Sequence, residues 1–241
     1  MLSNTRSIHR PEAQRDAPLL TIERRPGREP PISSRPGPRI EVTVPTEAVV
    51  RRALRERVLA DTPGERHAVD EFWVPRSHER ADIAVIGHLL DGFEIKTERD
   101  TLGRLPRQAD AYARVFDRCT AVVAGRHRAG ATEILPEWWG VVEISVNGKV
   151  SFAETRAAGP NPDVDPETLV RLLWREEAFA ALMRLGAEPS PRSTRSTLWT
   201  ELLRLVDAAQ LRCVVRHALH MRARTPVVSR FMPRSVGVAD R

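Results

Sequence analysis

Arg80-Ala-Asp-Ile-Ala-Val-Ile-Gly87, a short turn, and Asp91-Gly-Phe-Glu-Ile-Lys-Thr97 decide how this chain folds. Both segments alternate apolar and polar residues, the pattern of half-buried strands. The Asp91-Gly92 pair favours a turn just before the second one. Side chains alternate faces along a strand, so Glu94 and Lys96 share one face while Phe93, Ile95 and Thr97 take the other. By the same rule Asp82 goes with Ala84 and Ile86. A hairpin pairing Ile86 with Gly92 around a loop of Gly87 to Asp91 sets Asp82 opposite Lys96 and Ala84 opposite Glu94. Asp82 and Glu94 then become diagonal neighbours, about 7–8 Å apart at the backbone. Carboxylates at that spacing can converge on one metal ion, with an ammonium beside the water that the ion polarises. The competing reading is a cross-strand salt bridge on a solvated face, which contributes little.

Oxygen ligands of this kind suit Mg²⁺, which keeps several waters and takes one or two protein carboxylates. The spacing of Asp82 to Glu94-Ile95-Lys96 resembles the motif of the PD-(D/E)XK nuclease superfamily, with Ala81 standing where the motif's proline would be. Asp70-Glu71-Phe-Trp73, Asp100-Thr-Leu-Gly-Arg-Leu-Pro-Arg-Gln108 and Tyr112 extend the resemblance to a bacterial branch with a RecB-like Gln-x-x-x-Tyr element. It covers about residues 46–146 and continues weakly beyond. The resemblance implies an α/β fold with a restriction-endonuclease-like α-β-β-β-α-β core and a mixed central sheet. It implies Mg²⁺ (or Mn²⁺) held by Asp82, Glu94 and the Ile95 carbonyl, with Lys96 at the attacking water. A third acid is expected from Glu71 or Glu47. Glu71 follows the branch pattern, whereas Glu47 shares a helix face with Val50 and Leu54 and equally suits a helix N-terminus.

Gln108 and Tyr112 are i and i+4 on one helix face. The resemblance sets them beside the active site; packing of that helix on the sheet explains them as well. Arg80, Arg104, Arg107 and Arg114 are candidate phosphate contacts; the competing readings are charge balance of the carboxylates for Arg80 and solubility alone for the other three. A net charge of +6 suits a polyanionic partner. Lysine occurs only at positions 96 and 149, against a large excess of arginine. Lys96 therefore stands out, because a guanidinium is a poor substitute for a compact ammonium with a movable pKa.

Pro45-Thr46 opens a helix through Val58, followed by a strand over 66–74 and the hairpin. A helix is predicted over 101–117, capped by Asp100, with Pro106 either kinking it or marking a fresh start. Strands follow at 119–124 and 137–145, separated by a loop at 126–136 with a single helical turn. Asn147-Gly148 supplies a hairpin turn into 149–152. Helices are predicted over 166–186, from Ser196 or Thr197 through Leu205, and over 207–224. The domain reading is a disordered basic tail at 1–40, a nuclease-like core at 41–156, a linker at 157–165, a helical region at 166–224 and a disordered tail at 225–241. The helical region is a candidate surface for a protein partner.

Cys119 and Cys213 lack metal-ligand spacing and read as reduced, buried thiols. The histidines show no metal pattern and read as surface residues. No apolar run has membrane-spanning length, and the first ten residues have no apolar h-region, so a cytoplasmic protein is expected. The functional expectation is a metal-dependent nuclease, a hydrolase of phosphodiester bonds acting on DNA rather than RNA. The alternative is a non-catalytic nucleic-acid-binding or regulatory module of the same fold.

Overall fold

The computed structural model describes residues 45–60 and 64–224. Both expected tails, 1–40 and 225–241, lie outside that range. The fold is α/β. Six strands run β1 (His67–Trp73), β2 (Arg80–Ile86), β3 (Leu90–Lys96), β4 (Arg118–Ala124), β5 (Gly140–Val146) and β6 (Val150–Arg156). They lie side by side in that order in one sheet. The β3–β4 and β4–β5 pairs are parallel and the others antiparallel. Parallel neighbours need a crossover. Helix α2 (Leu105–Ala113) connects β3 to β4, and one 3₁₀ turn with α3 (Arg128–Ile134) connects β4 to β5.

Helix α1 (Glu47–Ala60) covers one face of the sheet. Its Val50, Leu54 and Val58 recur at helical spacing and pack on Ile83, Val85, Ile95, Val122 and Ile144. On the other face Leu105, Ala109 and Tyr112 of α2 meet Ala84, Ile86, Ala121 and Val123. The same apolar cluster continues into the C-terminal helices α4 (Pro166–Leu169), α5 (Arg175–Arg184), α6 (Arg195–Leu205) and α7 (Ala208–Arg224), through Leu173, Leu182, Leu198 and Leu219. Sheet and C-terminal helices thus share one core. The intervening segment is tied down: Asn161 donates its side-chain amide to the carbonyls of Ala113 and Phe116, and Asp165 caps α4. No helix among the described residues is long and apolar enough to cross a membrane.

Five readings need correction. Cys119 is buried as expected, but Cys213 on α7 is exposed. The β2–β3 register is Ala84 with Gly92 and Ile86 with Leu90, so the loop is Gly87 to Leu89 and the pairing slips by two residues. An even slip preserves the facing of every side chain. The helix predicted over 101–117 starts only at Leu105, with Pro106 in its first turn. Asp100 instead closes a turn by accepting from the backbone N–H and hydroxyl of Thr97. The helix predicted over 166–186 breaks at Leu173 and Trp174, and α5 restarts at Arg175. The next helix is capped by Thr194, earlier than either predicted cap.

Glu71 is an irregular point inside β1. Its φ of 53° is left-handed, rare for a residue with a side chain. Ala68 packs on the α1 side of the sheet, whereas Phe72 joins the core on the α2 side. Strict alternation would give these two residues the same face, so the strand turns over at Glu71. Its partner strand follows: Ala81 and Ile83 also lie in opposite clusters. The turnover falls beside Asp82.

Candidate active site

The β2–β3 ladder ends at Ile83 and Phe93. Beyond it, the Asp82 carboxylate accepts the backbone N–H of Ile95 at 2.6 Å. Continued in register, the ladder sets Asp82 directly against Glu94. Glu94 is 2 % exposed and accepts from three side chains. Its Oε1 accepts from Lys96 Nζ and from Gln108 Nε2, both at 2.5 Å. The Tyr112 hydroxyl lies 2.5 Å from Glu94 Oε2 and 2.6 Å from the Arg80 carbonyl, with one proton to donate between them. A carboxylate oxygen accepts about two hydrogen bonds. Oε1 is therefore saturated, and Oε2 keeps a free lone pair.

Local sequence explains the placement. Glu94 and Lys96 alternate with Phe93 and Ile95 and so face α2. Gln108 and Tyr112, one turn apart on α2, reach the same carboxylate. Gly92 lets the chain pack this closely: a Cβ there would lie 2.8 Å from the Phe116 ring.

Burial and the neighbouring charge of Glu94 push the Asp82 carboxyl up to about 7, against the opposing pull of the Ile95 N–H and Arg51. Burial, then Glu94, also raises Tyr112 well above the usual phenol range, so it stays a protonated donor.

On the other side of Asp82 lies a second group of acids. One oxygen each from Glu47, Glu71 and Asp82 lies within 4.8 Å of the others. Arg51 from α1 fills the middle. Its guanidinium bonds Glu71 at 2.5 Å, Asp82 at 3.1 Å, and Glu47. Burial disfavours that charge, but the hydrogen bonds to Glu71 and Glu47 and the charge of Asp82 outweigh it, and the guanidinium stays protonated above its ordinary range. The two acids weighed as a third ligand are thus neighbours, both held by one arginine.

The donor set fits a hard divalent cation. Carboxylates outnumber the cations among them, and Gln108 Oε1 is buried without a hydrogen-bond partner, an acceptor free for an ion's water. Asp82, Glu94 and the Ile95 carbonyl are the residues that would hold it, with Glu71 or Glu47 behind Arg51.

Residues 45–232 match the family model described as Bacteriophage P4 protein cII. The chain belongs to that family. No curated protein and no solved structure matches it. The P4 cII match starts just before α1 and ends beyond α7, so every residue of the site falls within the family's span.

Other candidate residues in this P4 cII family member sit further out. Arg80 lies 3.6 Å from Glu71, and its carbonyl serves Tyr112. Arg104 and Arg107 both pair with Glu79, which is 1 % exposed, at 3.0 and 2.6 Å. Two groups escaped sequence reading, Arg51 and Glu79. Arg51 had a signal: it is i+4 from Glu47, so any inward-facing Glu47 brings Arg51 with it. Glu79 had none, since it follows a turn and its burial comes from tertiary packing.

Proposed function

We propose that the chain is a metal-dependent nuclease that hydrolyses phosphodiester bonds of nucleic acid, with DNA as the favoured substrate and Mg²⁺ or Mn²⁺ as cofactor. The observation that carries this reading is the gathering of Lys96, Gln108 and Tyr112 on the Glu94 carboxylate, with Asp82 set against it at the open end of β2 and β3. A divalent ion bound there would stabilise charge on the phosphoryl oxygens and acidify its water. Lys96 orients the attacking water and offsets the growing negative charge. Gln108 and Tyr112 fix the Glu94 carboxylate. Asp82 is oriented by the Ile95 N–H. Arg80, Arg104 and Arg107 are the proposed phosphate contacts.

One observation favours a second reading, in which the fold binds nucleic acid without cleaving it. Arg51 already stands between Glu47, Glu71 and Asp82 and pairs with all three. One experiment separates the two. The purified chain is incubated with single- and double-stranded DNA and RNA, with Mg²⁺, Mn²⁺ or EDTA. Metal-dependent cleavage lost in Lys96→Ala supports the nuclease; binding in EDTA with no cleavage under any metal supports the second reading.

A further inference from the structure

At the opposite end of β1 from Glu71, four residues or about 13 Å along the strand, a different cluster forms. Glu65 precedes β1, His67 opens it, and His220 comes from α7. One ligand atom of each lies within 4.8 Å of the others. Nε2 of His67 is 3.4 Å from Glu65 Oε1, and Nε2 of His220 is 3.3 Å from Glu65 Oε2. Ligands at about 2.0–2.1 Å from a tetrahedral ion stand about 3.3 Å apart, so both contacts already have the length of an edge of that tetrahedron. The two imidazoles meet edge to face, with centroids 4.7 Å apart. Nε2 of His67 is buried and has no hydrogen-bond partner, which is costly unless something occupies it.

Two imidazoles and one carboxylate are the ligands of a borderline ion. Mg²⁺ and Ca²⁺ prefer an all-oxygen shell. The cation already facing this group is Arg224, 3.2 Å from Glu65 Oε1, while Oε2 meets His220.

We propose that Glu65, His67 and His220 bind one transition-metal ion of the Zn²⁺ class, with water as the fourth ligand. The ion ties α7, the last described helix, to the sheet's edge strand. The histidines are far apart in sequence, so no spacing motif announces the site.

The test is calorimetric titration of the full chain carrying Asp82→Asn with Zn²⁺, in excess Mg²⁺, together with thermal melts and visible absorption after loading with Co²⁺. The Asp82→Asn background and the Mg²⁺ keep the acidic site from competing. The expected result is one equivalent of Zn²⁺ bound, a raised Tm and the absorption of tetrahedral Co²⁺. His67→Ala or His220→Ala should weaken binding at least 10-fold, while Arg224→Gln should leave it intact or tighten it. His220 is only half-buried, so His220→Ala gives a folded control even if His67→Ala does not. No Zn²⁺ binding at micromolar concentration, or unchanged affinity in folded His220→Ala, would overturn the proposal.

Discussion

Removing Glu94 and removing Asp82 should have opposite effects on stability in the absence of metal. Glu94 is 2 % exposed and accepts from three donors, one of them the ammonium of Lys96, itself 8 % exposed. Glu94→Ala strands that ammonium, whose only ion pair among the described residues is with Glu94. Breaking one side of a buried pair costs about 3–5 kcal/mol. For a folded body of this size each kcal/mol moves Tm by about 2–4 °C, so a drop of about 6–20 °C follows.

Asp82 is the reverse case. Its folded-state pKa of about 7 stands above the ordinary 3.8. Folding therefore favours its protonated form, and the contribution to stability is greatest below the unfolded value and falls as pH rises through 4 to 7. A difference of about 3 units at 1.36 kcal/mol each is on the order of 4 kcal/mol, lost in full above pH 7. Asp82→Asn keeps an acceptor for the Ile95 N–H and removes that loss. It should equal or exceed wild-type stability at pH 8 and lose the advantage near pH 4. The assay is urea denaturation in EDTA at both pH values, with Lys96→Ala and the Glu94→Ala/Lys96→Ala double variant closing a cycle. Asp82→Asn as destabilising as Glu94→Ala at pH 8, or a Glu94–Lys96 coupling below about 1 kcal/mol, would refute the reasoning.

Lys96→Ala should abolish cleavage by the proposed nuclease while leaving Mg²⁺ affinity nearly intact by calorimetry; Lys96→Arg should also fail, because a guanidinium cannot give up its proton. Arg51→Ala should tighten Mg²⁺ or Mn²⁺ binding, read by the same calorimetry, because Glu47, Glu71 and Asp82 lose their internal cation; unchanged affinity would separate Arg51 from the metal site. Gly92→Ala should cost about 1–3 kcal/mol by urea denaturation, since the new Cβ drives into the Phe116 ring beside Glu94.

The sheet and the α2 side of the site were legible because both follow from periodicity. Glu94, Lys96, Gln108 and Tyr112 are placed by a two-residue repeat on β3 and a four-residue repeat on α2. A register error of two residues left them untouched, since an even slip flips nothing. The broken helix at Leu173 was not legible. Its apolar stripe runs on without a glycine or proline, and the break appears only where Trp199 Nε1 donates to the Leu173 carbonyl. Sharing of one core between sheet and C-terminal helices was hidden for a related reason: a segment rich in proline and glycine reads as a linker whether or not its backbone is held.

Asp82 marks where periodicity itself gives out. Alternation with Ala84 and Ile86 assumes an even pleat, yet β1 and β2 turn over together at Glu71 and Asp82. The left-handed Glu71 costs conformational energy, of the order of 1–3 kcal/mol for such a residue. The cost has a visible consequence. With the strands turned, Arg51 reaches Asp82 from the α1 layer while Glu94 repels it from the α2 layer, so one carboxylate is accessible from both sides of the sheet. An evenly pleated strand would turn Asp82 wholly toward Glu94 and leave Glu47 and Glu71 with no part in the site. The strained residue and the acid it displaces are adjacent across the ladder, so Glu71→Gly, which relaxes the backbone without removing Arg51, isolates the contribution of the turnover. It should raise stability in EDTA while weakening metal binding through the lost carboxylate, and Glu71→Gln should weaken binding without the gain. Equal stability of the two variants by urea denaturation would show that the left-handed turn stores no strain.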